Sequence, residues 1–175
     1  MKRKSWGMMS VLLFVLALAL SSEPTLAMIR TLPLSELIGR SDFIIIGRVT
    51  EQRKVAEVSK DSGSVEETVE NIVLPQEILK SKWPKGKTMI FTTYRAVRDG
   101  KQMWREDELS FPEKGSGVVL FVSRGNGGKF VIVNGIQGLW PLGEDGKPTG
   151  MGFRYSIEDL KREIAKTRPY KGPIR

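Results

Sequence analysis

Hydrophobic positions along this chain fall into three patterns, and each predicts a different element. Near the start, Met8 to Leu20 is almost wholly apolar, centred on Val11-Leu12-Leu13-Phe14-Val15-Leu16-Ala17-Leu18-Ala19-Leu20. Through the middle, short β-branched and aromatic runs are separated by Gly, Pro, Asp and Ser, which predicts strands and turns. At Leu34, Leu37 and Ile38, and again at Ile157, Leu160 and Ile164, apolar residues recur at helical spacing.

The strand runs can be placed individually. Phe43-Ile44-Ile45-Ile46-Gly47-Arg48-Val49 is apolar on both faces in its first half, which predicts a central strand covered on both sides. Gly47 predicts a bulge or sharp bend there. Lys54 to Glu67 is polar, with its turn at Asp61-Ser62-Gly63-Ser64. Glu66 to Leu79 predicts a second strand, with Pro75 marking an edge or a bulge. Ser81 to Lys87 is a loop, and Thr88 to Tyr94 a third strand. Asp99-Gly100 suits a two-residue hairpin turn. Gly117 to Val122 predicts a buried strand that pairs with Phe130 to Val133 across Gly125-Asn126-Gly127-Gly128. Ile136 to Leu142 should continue extended. Ile44, Ile46, Val118, Leu120, Val122 and Val131 are the expected core.

Two helices flank these strands. Thr31 to Arg40 predicts a short one with Pro33 in its first turn. The second starts at Ser156 as N-cap, with Glu158 and Asp159 where the helix dipole favours acids. It ends before Pro169. Five or six short strands with peripheral helices predict a mainly β protein, a small antiparallel barrel over residues 28–155. Residues 156–175 then form a C-terminal helix and basic tail.

The N-terminal run changes the picture most. Lys2, Arg3 and Lys4 precede it, and Thr25-Leu26-Ala27 supplies small residues after it. That order predicts a secretory signal, residues 1–27, cleaved after Ala27, with Ser21 the second choice. The run falls short of the roughly 20 residues that span a bilayer. With no cysteine to carry a lipid, no stable membrane anchor is expected. The mature chain is expected to be secreted or periplasmic.

Composition removes whole classes of chemistry. The 175 residues include no cysteine and no histidine. Thiol catalysis and serine–histidine or cysteine–histidine machinery are excluded, and a zinc site of the usual kind is not expected. No cofactor, no metal and no nucleic acid is expected. Carboxylate chemistry, serine–lysine chemistry or pure binding remain. A formal charge of +8 favours anionic partners without identifying one.

The order of motifs resembles a known family. Ser35-Glu36-Leu37-Ile38 followed by Ser41-Asp42-Phe43-Ile44-Ile45-Ile46-Gly47-Arg48-Val49 is similar to the opening of many exported bacterial domains. Glu77-Ile78-Leu79-Lys80, Phe111-Pro112-Glu113-Lys114-Gly115 before Val118 to Val122, and Val133-Asn134-Gly135-Ile136-Gln137-Gly138-Leu139-Trp140 match their later motifs. These domains resemble the netrin-like fold of tissue inhibitors of metalloproteinases, a variant of the OB barrel. The resemblance covers about residues 34–142 and implies an OB-like barrel. It brings no site residue, because the animal inhibitors chelate the protease zinc through an N-terminal cysteine that this chain lacks. It marks Gln137-Gly138-Leu139-Trp140 as a candidate binding rim.

Few residues offer chemistry. Lys80, Lys82, Trp83, Lys85 and Lys87 form the densest basic stretch, with an aromatic inside it. They are the candidate ligand-binding residues, suited to an anionic surface. Glu106, Asp107 and Glu108, with Glu66, Glu67 and Glu70, offer carboxylates, but without the spacing of a calcium loop. A glycosidase needs two carboxylates about 5–10 Å apart in a cleft, and surface charge is the simpler expectation. Gly125 to Gly128 lacks the Gly-Lys-Ser/Thr ending of a phosphate loop. The expected function is an exported, non-catalytic binding domain for a protein or an anionic envelope component. Its alternatives are a carboxylate-type hydrolase of glycans and a protease inhibitor that works without zinc chelation.

Overall fold

A computed structural model describes residues 30–60, 63–82, 84, 86–103 and 108–167. The expected signal segment, Asp61 and Ser62, Trp83, Lys85, residues 104–107 and the tail from residue 168, with Pro169, lie outside the described residues. Thr31–Arg175 forms a unit of its own. Among the described residues, no helix is long and apolar enough to cross a membrane.

Helix α1 (Leu34–Arg40) leads into β1 (Phe43–Ser59) and β2 (Val65–Lys80), followed by β3 (Met89–Arg98), β4 (Lys101–Met103) and β5 (Gly117–Arg124). After β6 (Phe130–Ile132) and β7 (Leu139–Pro141) the chain closes with α2 (Ile157–Lys166). The seven strands form one sheet in the order β4-β3-β2-β1-β5-β6, with β7 also pairing β5. Every ladder is antiparallel. The sheet curls into a half-barrel. The curl brings β3 and β6 together through side chains, Phe91 lying 6.2 Å from Phe130, centroid to centroid.

The expected doubly covered strands are present. On β5, Val118, Leu120 and Val122 point into the curl with Phe43, Ile45, Val49, Val73, Met89, Phe91 and Phe111. Val119 and Phe121 point the other way, joining Ile44, Trp140, Leu37, Ile38 and Leu160 beneath the two helices. This period of two on strands apolar at every position builds a core on each side of one sheet.

Two members of the expected core differ. Val131 is 49% exposed. Its neighbours Phe130 and Ile132 take the inward positions of a three-residue strand, so pleating sends Val131 outward. Ile46 is only half-buried, packed at the margin of the outer layer.

Local chemistry explains most boundaries. Ser156 Oγ accepts from Asp159 N at 3.0 Å, while Asp159 Oδ2 accepts from Ser156 N at 3.1 Å. That is a reciprocal capping box. Asp99 and Gly100 have φ of 51° and 72°, the left-handed pair that matches a hairpin's twist. Gly47 pairs with Pro75 at a register shift between β1 and β2. β3 pairs β2 only as far as Val73, so Pro75 lies where β2 has a free side. The segment expected to be extended from Ile136 to Leu142 first makes a 3-10 turn, Gly135–Gly138, and is extended from Leu139 as β7. Asn134 and Gly135, at φ 54° and 57°, fold the chain there. A Cβ on Gly138 would lie 2.2 Å from the Val133 carbonyl oxygen, so only glycine fits.

Candidate functional site

Within the basic stretch, Lys80 is set apart from the exposed lysines Lys82 and Lys87. Lys80 ends β2, and its Nζ donates to the carbonyls of Ile38 at 2.7 Å and Ser41 at 2.6 Å. Burial lowers its pKa. The ammonium thus closes the C-terminal end of α1, where unpaired carbonyls favour a cation. Lys82 and Lys87 are exposed, and Trp83 and Lys85 lie outside the described residues. Of the five, only two are therefore placed as accessible charges.

The Gln137 to Trp140 rim is internal. Gln137 Oε1 accepts from Leu32 N at 2.9 Å, and Nε2 donates to Leu32 O at 2.6 Å. Both backbone groups of Leu32 are thus satisfied inside the protein. Trp140 Nε1 donates to Gln137 O at 2.8 Å, with its ring 1% exposed. These residues hold the outer core together and face no ligand.

A polar cleft opens instead at the mouth of the half-barrel, where the inner face passes from apolar to hydrophilic. Gln52 on β1 pairs with Asn71 on β2, and Asn71 with Phe91 on β3, beside Thr93. Gln52 Nε2 donates to Asn71 Oδ1 at 2.7 Å, and Asn71 Nδ2 donates to Thr93 Oγ1 at 2.9 Å. Asn71 is 1% exposed, between Val69 and Val73 on the same face. The row borders a cavity of about 410 Å³, which Arg95, Glu108, Ser110 and Glu113 also line. A smaller one of about 300 Å³ adjoins it, lined by Thr92 to Ala96 with Glu108 and Leu109.

One step outward, the row becomes ionic. Glu67 Oε2 accepts from Arg95 Nε at 2.6 Å, and Glu67 Oε1 lies 3.3 Å from Lys54 Nζ. The Arg95 hydrogen bond, assisted by Lys54, holds the Glu67 carboxyl below its ordinary pKa. A depressed carboxylate pKa adds stability that is complete above the unfolded value, about 4.3, and vanishes as pH falls through the folded one. Glu67→Gln should therefore flatten the loss of stability below about pH 4. Urea titrations of both proteins between pH 7 and pH 3 check this, and parallel curves would contradict it.

The remaining acids serve structure. Glu70 bonds Arg53 at 2.7 Å and Glu66 pairs Lys60 at 3.6 Å. Glu106 and Asp107 lie outside the described residues. Glu108, expected on the surface, has both carboxyl oxygens buried at the cleft wall. Among the described residues, no group of three or more acids is arranged to hold a metal ion. In the basic tail, Lys161 pairs with Glu77 at 2.8 Å and Lys166 with Glu163 at 2.9 Å. No family model, no curated protein and no solved structure matches the chain.

Proposed function

We propose that this is an exported, non-catalytic binding domain with a protein ligand, held in the cleft beside β3. The observation that carries it is the fixed row Gln52–Asn71–Thr93 bordering a polar cavity that Val69, Leu109 and Phe111 also line. Concave sites where oriented polar groups meet apolar side chains are where ligands bind. Side-chain amides and hydroxyls offer both donors and acceptors, as peptide groups require. Arg95 on one wall and Glu108 and Glu113 on the other suit a chain of mixed charge better than a polyanion. The netrin-like membership belongs to the same proposal, supported by the curled antiparallel sheet and the helix before its first strand. Export rests on the charged start, the apolar run and Thr25-Leu26-Ala27.

Two alternatives have less support. A glycan hydrolase needs a carboxylic acid that keeps its proton near neutral pH, and Glu67 is driven the opposite way. An anionic ligand on the basic loop would have to do without Lys80, which is bound to two carbonyls.

Capture from an envelope extract tests the proposal. The chain from Met28 serves as bait beside two variants, Gln52→Ala/Thr93→Val and Lys82→Gln/Lys87→Gln. The cleft variant removes two hydrogen-bonding groups worth about 1 kcal/mol each. It should lose a bound protein about tenfold or more while still folded at the assay temperature, its melting temperature lowered because Asn71 loses two partners, whereas the loop variant keeps the protein. Loss by the loop variant alone would move the site to residues 82–87. Equal capture by all three would refute the cleft.

A further inference from the structure

We infer that the end of the half-barrel where β1 begins and β2 and β5 finish is a second binding surface, which docks reversibly on a membrane of anionic lipids. None of its residues lines either cavity of the cleft.

Asp42 gathers this surface from separate stretches of chain. Its Oδ2 accepts from Arg124 N at 2.7 Å, and its carbonyl accepts from Ser81 Oγ at 2.5 Å. The loop that carries Lys82 is thereby held beside the end of β5. Arg124 pairs with Phe130 across the following turn, where Gly125 N donates to Lys129 O at 2.8 Å. Lys82, Arg124 and Lys129 thus share one end of the sheet, and all three are exposed. The Arg124 guanidinium lies over the Phe43 ring, 5.1 Å from its centroid. Among the described residues, none of the three forms an ion pair.

The charge here is not offset. No acid occurs between Glu77 and Asp99, or between Glu113 and Glu144. Asp42 is therefore the single acid in these stretches, against Lys82, Lys85, Lys87, Arg124 and Lys129. Lys80 is already bound to the carbonyls of α1. The acids outside the described residues, Glu23, Asp61, Glu106 and Asp107, adjoin none of these stretches in the chain. Elsewhere cations meet acids, with Arg53, Lys54, Lys60, Arg95 and Lys161 each within 4 Å of one. A field of one sign confined to one end orients a protein toward an anionic surface.

Cations alone would suit any polyanion, but apolar side chains at the same end favour a bilayer. Val131 is 49% exposed and Ile90 43%. Val131 stands beside the turn that carries Lys129, for a Cβ on Gly125 would lie 2.8 Å from Val131 Cγ2. The contact between Phe91 and Phe130 brings Ile90, the residue before Phe91, toward β6. A bilayer surface takes both kinds of group. Its phosphates attract lysine and arginine, and the boundary beneath them admits apolar side chains. Gln52 lies well along β1 from Phe43, so a docked molecule keeps its cleft away from the lipid.

Flotation of the chain from Met28 with vesicles tests this, using phosphatidylglycerol and phosphatidylcholine in equal parts against phosphatidylcholine alone. Binding should require phosphatidylglycerol and fade as salt rises, since the Debye length falls from about 30 Å at 0.01 M to about 10 Å at 0.1 M. Each Lys or Arg near an anionic surface is worth a factor of about five. Lys82→Gln/Lys129→Gln should therefore weaken binding about 25-fold, and adding Arg124→Gln should bring the loss to about a hundredfold. Lys101→Gln/Lys114→Gln removes the same charge from exposed lysines on the β3–β4 turn and before β5, and should change binding less than about threefold. A dextran sulfate column separates a membrane from a soluble polyanion. Ile90→Thr/Val131→Thr keeps the charge, and should weaken vesicle binding several-fold while leaving retention on the column unchanged. If that variant fails to fold, the lysine pairs and the column still decide. Equal losses in the two lysine pairs, or equal binding to both kinds of vesicle, would overturn the inference. So would retention on dextran sulfate without binding to vesicles, or an unchanged vesicle affinity in folded Ile90→Thr/Val131→Thr.

Discussion

Leu120→Ala is expected to cost about 2–5 kcal/mol, the range for emptying a fully buried leucine site. Leu120 is wholly buried, on a strand hydrogen-bonded on both sides. It faces Ile45 on β1 and Leu139 on β7, and packs among the residues that fill the curl of the sheet. Ladders on both sides hold β5 in place, so the surroundings have little freedom to collapse into the cavity. A domain is stable by only about 5–15 kcal/mol, so this single change would consume a large part of the total. Denaturant titration measures it. A change below about 0.5 kcal/mol, typical of surface sites, would remove Leu120 from the core and with it the assignment of β5.

Trp140→Ala should cost as much or more, about 3–5 kcal/mol. The ring lies 4.7 Å from Phe121, stacks on Tyr155 at 5.7 Å with planes 9° apart, and donates to the Gln137 carbonyl. Gly152 rests directly on it, where a Cβ would come within 2.4 Å of the ring. This one side chain therefore supports the turn after β7 and the approach to α2. Its loss should do more than lower the unfolding midpoint. Amides of α2 should exchange faster than those of β5, because the helix is held through Leu160, Ile157 and Ile164 in the same outer layer. Uniform acceleration across the chain would mean that the helix does not depend on this ring.

What could be read from the sequence was the part dictated by neighbours along the chain. Ser156 with Asp159, the Asp99-Gly100 turn, and runs apolar at every position carry their meaning within a few residues. The second half of β1 does not. Residues 51–59 are exposed and mostly polar, and they form a strand because β2 pairs with them as far as Ser59 and Val65. Lys80 looks like any loop lysine until α1 brings two carbonyls to it. The cleft was less legible still. Gln52, Asn71 and Thr93 come from three strands, and register shifts such as that between Val49 and Glu51 decide which residues meet. One signal was available. Asn71 interrupts Val69 and Val73 at period two, and a polar residue at an inward position needs a partner. Gln137 carries no such mark, because its partner Leu32 lies 105 residues away.

The account turns on where the ligand meets the protein, and amide hydrogen exchange locates that directly. The captured partner is added to the chain from Met28, and exchange is compared with and without it. Protection is predicted along Thr92 to Ala96, with Gln52 and Asn71 slowed and residues 82–87 unchanged. Protection confined to residues 82–87, or absent from β3, would contradict the assignment of the cleft.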